Sequence, residues 1–194
     1  MAIAGQTFEN PMTGEKMVFG KTARDTNGTR LEIEFFIQPN APKVGAHFHP
    51  YFDERFEILA GSARYKIGQD EYGTKAGDVL ILPQGMPHVH PWNVGNDILH
   101  VRKITQLDKP NMQWLLETEE FFESLYAFAQ QGQIGNDGLP KNLLQKVVLI
   151  QSLQPHTYAA GIPVLVQRIF IGALAAVGRA LGVKTYYPAQ YVRS

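Results

Sequence analysis

Apolar and polar residues alternate in short runs through the first half of the chain. Residues 30–39, RLEIEFFIQP, and residues 55–68, RFEILAGSARYKIG, are rich in β-branched and aromatic side chains and contain or adjoin Gly, Asn and Pro. A similar run at 16–23 is followed by Asn27-Gly28, a dipeptide that favours a tight hairpin turn. Many short strands separated by turn residues predict a β-sandwich or a barrel.

The pattern changes near residue 108, where apolar residues begin to recur at helical spacing. A first helix is predicted within 110–132, a second around 141–153 and a third from about Pro163 to Leu181. The apolar face of the first helix consists of Trp114, Phe121, Leu125 and Phe128. These apolar faces must pack against another surface, so we expect the helices to form an extension attached to the β-domain.

The change of pattern defines two parts of the chain. We expect a β-barrel over residues 1–108 and about three helices over residues 109–194. The helices are expected to pack on the barrel or at a dimer interface.

The third predicted helix is apolar over about 20 residues, which is long enough to span a membrane. Arg168 and Arg179 argue against it, because each would cost roughly 2.5–3.5 kcal/mol at the centre of a spanning helix. The apolar face opposite these arginines consists of Val164, Leu165, Ile169, Phe170, Leu174, Val177 and Leu181. We expect the barrel or the second chain of a homodimer to cover it, and a helix lying on a membrane surface is the alternative.

Composition narrows the classes of partner and site. Lys+Arg and Asp+Glu both number 18, so the net charge is zero, which argues against a nucleic-acid partner. There is no cysteine, so disulfides and thiolate ligands are excluded. The first residues lack a basic segment followed by an apolar run, so we expect no signal peptide and a cytoplasmic protein.

Two of the six histidines stand one residue apart in HFHPYFDERFEILAG, which begins at His47. Residues i and i+2 of a strand point to the same face, so His47 and His49 would project together, near the carboxylate of Glu54. Two converging imidazoles beside a carboxylate suit a divalent metal ion. Two surface histidines on an edge strand are the alternative on these residues alone.

A second informative stretch, GDVLILPQGMPHVHPWN, covers residues 77–93. A turn at the start and a buried strand at 79–82 precede a corner rich in Pro and Gly. This corner delivers His88 onto the next strand.

Together, the two stretches resemble the paired motifs of the cupin superfamily. The matching residues are His47, His49, Glu54 and Gly61 in the first motif, and Gly77, Pro83, Gly85 and His88 in the second, with 15 residues between the motifs. Ala41 stands where the first motif usually has glycine, and the trailing Asn93 is one position late, but neither position supplies a ligand. The resemblance covers about residues 5–108 and implies a mainly β fold, the cupin double-stranded β-helix or jelly-roll barrel.

The resemblance also implies a metal centre formed by His47, His49, Glu54 and His88. Their nitrogen and oxygen donors suit one divalent ion of Fe, Mn, Ni, Co, Cu or Zn, and an octahedral ion would keep two open positions for water, O₂ or substrate. Similarity to the quercetin-dioxygenase-like branch implies an oxidoreductase with Glu54 as catalytic base, and the aromatic residues near the motifs favour a small, partly apolar substrate. A non-catalytic binding protein and a non-redox isomerase, decarboxylase or lyase are the alternatives.

The remaining polar residues near the motifs are ambiguous. His90 shares strand parity with His88, so it faces either the site, as a proton shuttle or supporting group, or solvent. His100 is expected in the core and His156 at the surface, while Tyr51 is expected either to reach a substrate or to pack. Some of the nearby aromatic residues are expected to line an apolar pocket: Phe35, Phe36, Phe48, Phe52 and Phe56.

Overall fold

The computed structural model describes residues 2–192, which form twelve strands and three helices. The strands are Thr7–Glu9 (β1), Lys16–Lys21 (β2), Arg30–Ile37 (β3), His47–Phe48 (β4), Glu54–Ala60 (β5), Ser62–Ile67 (β6), Asp70–Lys75 (β7), Val79–Leu82 (β8), His88–Asn93 (β9), Leu99–Gln106 (β10), Tyr158–Ala159 (β11) and Tyr191–Val192 (β12). The helices are Met112–Gln130 (α1), Leu143–Ser152 (α2) and Val164–Ala180 (α3).

The strands form two antiparallel sheets, as the mainly β jelly-roll prediction requires. One sheet has the order β12-β1-β2-β3-β10-β5-β8, and the other has the order β11-β4-β9-β6-β7. No strand pairing joins the two sheets within residues 2–192, so the expected barrel is a two-sheet jelly roll without closure.

Apolar side chains from both sheets pack into a shared core. The larger sheet contributes Phe56 and Ile58 from β5 and Val101 from β10, and the smaller sheet contributes Ala63 from β6. These residues alternate with more exposed neighbours along each strand, as the period of two in the sequence predicts.

The predicted hairpin joins β2 to β3. Asn27 and Gly28 both have positive φ, 51° and 75°, as a tight turn of this type requires. A Cβ on Gly28 would lie 2.7 Å from the backbone nitrogen of Met112, so glycine also lets the start of α1 approach the turn. The turn therefore helps to place α1 against the sheet.

Helix α1 covers the β1–β3 end of the larger sheet. It begins at Asn111, whose side chain accepts a hydrogen bond from the Trp114 N–H. Trp114, Leu115 and Tyr126 are buried against Phe8 and neighbouring strand residues. The predicted helical face is confirmed, since Phe121 and Phe128 are also buried and Leu125 is partly buried.

The other two helices form successive layers outside α1. Leu149 of α2 packs with Phe121 and Phe128 of α1, while Ala175 of α3 packs with Val147 and Val148 of α2. The barrel does not cover the apolar face predicted on the third helix. Leu165 and Phe170 on this face remain exposed in the single chain.

The C-terminal part of the chain also returns to both sheets. Strand β11 pairs with β4, with Tyr158 opposite Phe48 and Ala159 opposite His47, and β12 pairs with β1. The part beyond residue 108 is therefore not purely helical. None of the helices within residues 2–192 has the length and apolar character that a membrane crossing requires.

Candidate metal centre

Strands from both sheets bring the predicted ligands together. His47 starts β4 and lies opposite His88, the first residue of β9, and Glu54 starts β5. His49 lies just beyond β4, where its carbonyl accepts a hydrogen bond of 2.8 Å from the Gly85 N–H. Gly85 has a φ of 73°, so the glycine in the Pro-Gly corner lets the loop before β9 bind the end of β4.

The structure gathers the four sequence-predicted ligands and adds a fifth residue. One ligand atom from each of His47, His49, Glu54, His88 and His90 lies within 4.8 Å of the others. His49, Glu54 and His88 are buried, whereas His47 and His90 are half-buried and form the accessible side of the cluster. The arrangement is able to hold a metal ion.

Backbone carbonyl groups fix the orientation of three imidazoles. Nδ1 of His47 lies 2.8 Å from the Gly45 carbonyl, and Nδ1 of His88 lies 2.9 Å from the Met86 carbonyl. Nδ1 of His49 lies 3.1 Å from the carbonyl of His156. Because a carbonyl oxygen only accepts, each Nδ1 carries the proton and each Nε2 presents a lone pair, which is the form that binds a metal ion.

Two of the converging nitrogen atoms are buried without a hydrogen-bond partner in the described part of the chain. They are Nε2 of His49 and Nε2 of His88, and each faces a carboxylate oxygen of Glu54, at 3.3 and 3.6 Å. Buried polar atoms are normally paired, and leaving one unpaired costs about 1–3 kcal/mol. A divalent cation would satisfy all of these acceptors at once, so the donor set fits a metal ion.

The electrostatics of the cluster favour neutral imidazoles and an anionic carboxylate. Burial holds the pKa of His47 well below its usual range and lowers the pKa of His90 to about 4. Burial alone would raise the pKa of Glu54, but the adjacent His90 and the positive charge of Lys103 outweigh burial and hold that pKa well below its usual range. Metal ligation requires these protonation states.

Lys103 is a member of the site that the sequence reasoning missed. Its Nζ lies 2.8 Å from Oε1 of Glu54, and its side chain is only 9% exposed. The ammonium group also lies 4.9 Å from the centre of the Phe122 ring. Lys103 occupies the same face of β10 as the buried Leu99 and Val101, and a charged residue at that parity was the signal for a buried partner.

His90 faces the site rather than solvent, which decides between the two orientations expected for it. Its Nε2 lies 2.5 Å from Oε2 of Glu54 and 3.0 Å from Nε2 of His47. Since Nδ1 of His47 carries that ring's proton, the proton between the two Nε2 atoms belongs to His90. His90 therefore links the carboxylate of Glu54 to the accessible side of the cluster.

Of the five phenylalanines that the sequence analysis named near the motifs, two flank the imidazoles. Phe52 stacks on His49 with ring centres 4.5 Å apart, and Phe56 lies 4.8 Å from His90. The other three contact different partners, with Phe35 against Phe122, Phe36 against His100 and Phe48 against Tyr158.

The other polar residues have structural contacts. His100 is partly buried, and its Nε2 lies 2.7 Å from Oε2 of Glu34. His156 is half-buried against Trp114 instead of lying at the surface, and its carbonyl helps to orient His49. Tyr51 is 59% exposed and contacts the His156 ring.

Comparison with known families agrees with this geometry. Residues 33–104 match the family model described as a cupin domain. This segment is a cupin domain. It runs from β3 to β10 and contains the whole histidine and glutamate cluster together with Lys103.

Parts of the chain are similar to several solved structures. A variant of oxalate decarboxylase from Bacillus subtilis is 21% identical, with a TM-score of 0.42, and the match covers 57% of this chain and 32% of that chain. A predicted oxalate decarboxylase from Thermotoga maritima is 27% identical, with a TM-score of 0.43, over 48% and 81% of the two chains. The cupin domain of Cnp3 from Schizosaccharomyces pombe is 16% identical, with a TM-score of 0.41, over 48% and 65%. No curated protein matches the chain.

Proposed function

We propose that this protein is a metal-dependent oxidoreductase of the dioxygenase-like kind, acting on a small, partly apolar molecule. His47, His49, Glu54 and His88 would hold one divalent ion of Fe, Mn, Ni, Co, Cu or Zn. The observation that carries the proposal is the pair of buried, unpaired Nε2 atoms of His49 and His88, which face the carboxylate of Glu54. A bound ion would supply Lewis-acid chemistry and, for a redox metal, electron transfer at its open coordination positions.

The chain's own residues prepare the site for this chemistry. Lys103 contacts Oε1 of Glu54 and keeps the carboxylate anionic, while its two oxygens lie 3.3 Å from Nε2 of His49 and 3.6 Å from Nε2 of His88. The carbonyl contacts at Nδ1 hold the histidine rings in place, so little reorganisation accompanies metal binding. Phe52 and Phe56 are buried beside two of the imidazoles and shield them from water.

Glu54 and His90 form a path for a proton. We propose that Glu54 is both a ligand and the catalytic base. Oε2 of Glu54 lies 2.5 Å from the protonated Nε2 of His90, whose side chain is 15% exposed and reaches the accessible side. His90 would pass this proton to Glu54 while its other ring nitrogen takes up a proton from solvent or substrate, and the reverse steps would release a proton from Glu54.

The same pair of residues favours a second candidate function. Proton transfer between Glu54 and His90 needs no oxidant, so it would equally serve a non-redox isomerase, decarboxylase or lyase. A binding protein without turnover would need the metal ligands and the aromatic residues but not this proton path.

Substrate screening with and without O₂ distinguishes these functions. The protein would be loaded separately with Fe(II), Mn(II), Ni(II) and Zn(II) and screened against aromatic and enol-type compounds. The oxidoreductase proposal expects O₂ uptake in proportion to product with a redox metal and none with Zn(II). Product formed equally under anaerobic conditions would support the non-redox function. Thermal stabilisation by a compound that is never converted would support binding alone.

A further inference from the structure

Helix α3 presents an apolar surface to solvent in the single chain. We call it the α3 outer face, and it consists of Leu165, Val166, Ile169, Phe170, Leu174, Val177 and the adjoining Leu181. Leu165 is 68% exposed and Phe170 is 64% exposed. Large apolar side chains are usually buried in folded proteins, so we expect another surface to cover this face.

Charge is absent from this face. At about 100° per residue, its side chains and the exposed Ala173 and Ala176 occupy one arc of about 180° around the helix. Arg168 and Arg179 both lie outside the arc, and α3 contains no acidic residue. The α3 outer face is therefore uniformly apolar.

The opposite side of α3 is occupied by α2. Ala175 packs against Val147 and Val148, and Arg179 donates a hydrogen bond to the side-chain oxygen of Gln151 on α2. A helix that lies on a lipid surface usually carries several cations on a polar face turned to water. Since this side of α3 packs on protein, the arrangement favours a protein partner over lipid.

The size of the face suits pairing with another copy of the chain. A 17-residue helix is about 25 Å long, and half of its envelope has an area of roughly 500 Å². Folded monomers rarely expose apolar patches larger than a few hundred Å². Two such faces would bury roughly 1,000 Å², the size at which a specific interface becomes credible.

We propose that the α3 outer face is the interface of a homodimer with two-fold symmetry. A two-fold interface places a surface against itself, and an uncharged face meets its own copy without repulsion. Ala173 lies in the middle of the arc and near the middle of α3, so the axis passes close to it. The small side chains of Ala173 and Ala176 leave shallow grooves for large side chains of the second copy.

Charge substitution in the full-length chain tests the proposal. Light scattering should give the wild type twice the chain mass of 21.7 kDa at micromolar concentration. Leu165→Glu and Phe170→Glu should each weaken dimerisation about 100-fold or more, since a carboxylate would be buried in an apolar contact. Ile3→Glu is the matched control, because Ile3 is 67% exposed and distant in sequence from α3, and it should remain dimeric. Circular dichroism would confirm that each variant is folded.

Cross-linking tests where the symmetry axis lies. The chain has no cysteine, so a single introduced thiol reports only on its own position. Ala173→Cys should form a disulfide-linked dimer under mild oxidation, because two copies of this position meet at the axis. Ile3→Cys should not.

Three results would overturn the proposal. The first is a wild-type monomer, and the second is a dimer that both glutamate variants retain. The third is a monomer that floats with vesicles of phosphatidylcholine and phosphatidylglycerol, which would make lipid the occupant of the face.

Discussion

Replacing Lys103 with methionine should destabilise the metal-free protein strongly. Methionine keeps the apolar stem of the side chain but removes the charge 2.8 Å from Oε1 of Glu54. At an effective dielectric constant of about 20, that separation corresponds to roughly 6 kcal/mol of attraction. Part of it is offset by the cost of burying the ammonium group, and breaking a buried ion pair typically costs about 3–5 kcal/mol. We expect a loss of this size in the free energy of unfolding.

Metal should restore more stability to the Lys103→Met protein than to the wild type, because the ion replaces the missing positive charge beside Glu54. Urea unfolding of both proteins, with and without added Zn(II), measures this difference. Arg102→Met is the matched control on the same strand. Arg102 pairs with Glu34 on a more solvent-accessible face, so its loss should cost no more than about 1 kcal/mol. If metal-free Lys103→Met unfolds within 1 kcal/mol of the wild type, the argued role of Lys103 is refuted.

Three further predictions concern the helices. Burial raises the pKa of Glu119 to about 7, so its carboxylate costs stability as the pH rises from about 4.5 to 7. The free energy of unfolding of Glu119→Gln, relative to that of the wild type, should therefore rise by about 2–3 kcal/mol between pH 4.5 and pH 8, as measured by urea unfolding. The same difference between the two proteins at both pH values would contradict this. Gly178→Ala should lower the melting temperature, because its Cβ would lie 2.9 Å from the stiff side chain of Val148. A Cβ at Gly172 would meet only the side chain of Gln151, at 3.9 Å. Gly172→Ala should therefore raise the melting temperature, because alanine favours a helix over glycine by about 0.5–1 kcal/mol. Equal changes in melting temperature for the two variants would refute the packing of α3 on α2. A chain cut after Leu107 should be poorly soluble, because α1 no longer covers β1–β3, and a well-behaved, metal-loaded fragment would contradict this.

The local patterns of the sequence predicted most of the β-domain and all three helices. Period-two alternation marked β3 and β5, and helical spacing placed α1 within two residues of its observed ends. The short strands β1, β11 and β12 carry too few residues for a periodic signal. Their positions depend on pairing with distant segments, as when Tyr158 lies opposite Phe48.

The sequence predicted only part of the candidate site. The motif spacing selected His47, His49, Glu54 and His88, and the structure brings these residues together. Lys103 lies outside both motifs, and its role depends on β10 pairing beside β5, which no local pattern specifies.

The sequence also did not predict that the C-terminal part of the chain contributes to the site. The His156 carbonyl reaches His49 across 107 positions of sequence. Its neighbours Tyr158 and Ala159 form β11 alongside β4. A contact of this range is set by the packing of the whole chain rather than by a motif.

Metal content tests the central claim most directly. Elemental analysis of protein incubated with a divalent metal and then desalted would compare the wild type, the His47→Ala/His88→Ala double variant and the control His100→Ala. His100 contacts Glu34 and Phe36 outside the cluster, so its loss should leave the site intact. We expect one metal equivalent per chain in the wild type and in the control, and almost none in the double variant, with all three folded. A full equivalent retained by the double variant would contradict the assignment of the cluster as the metal centre.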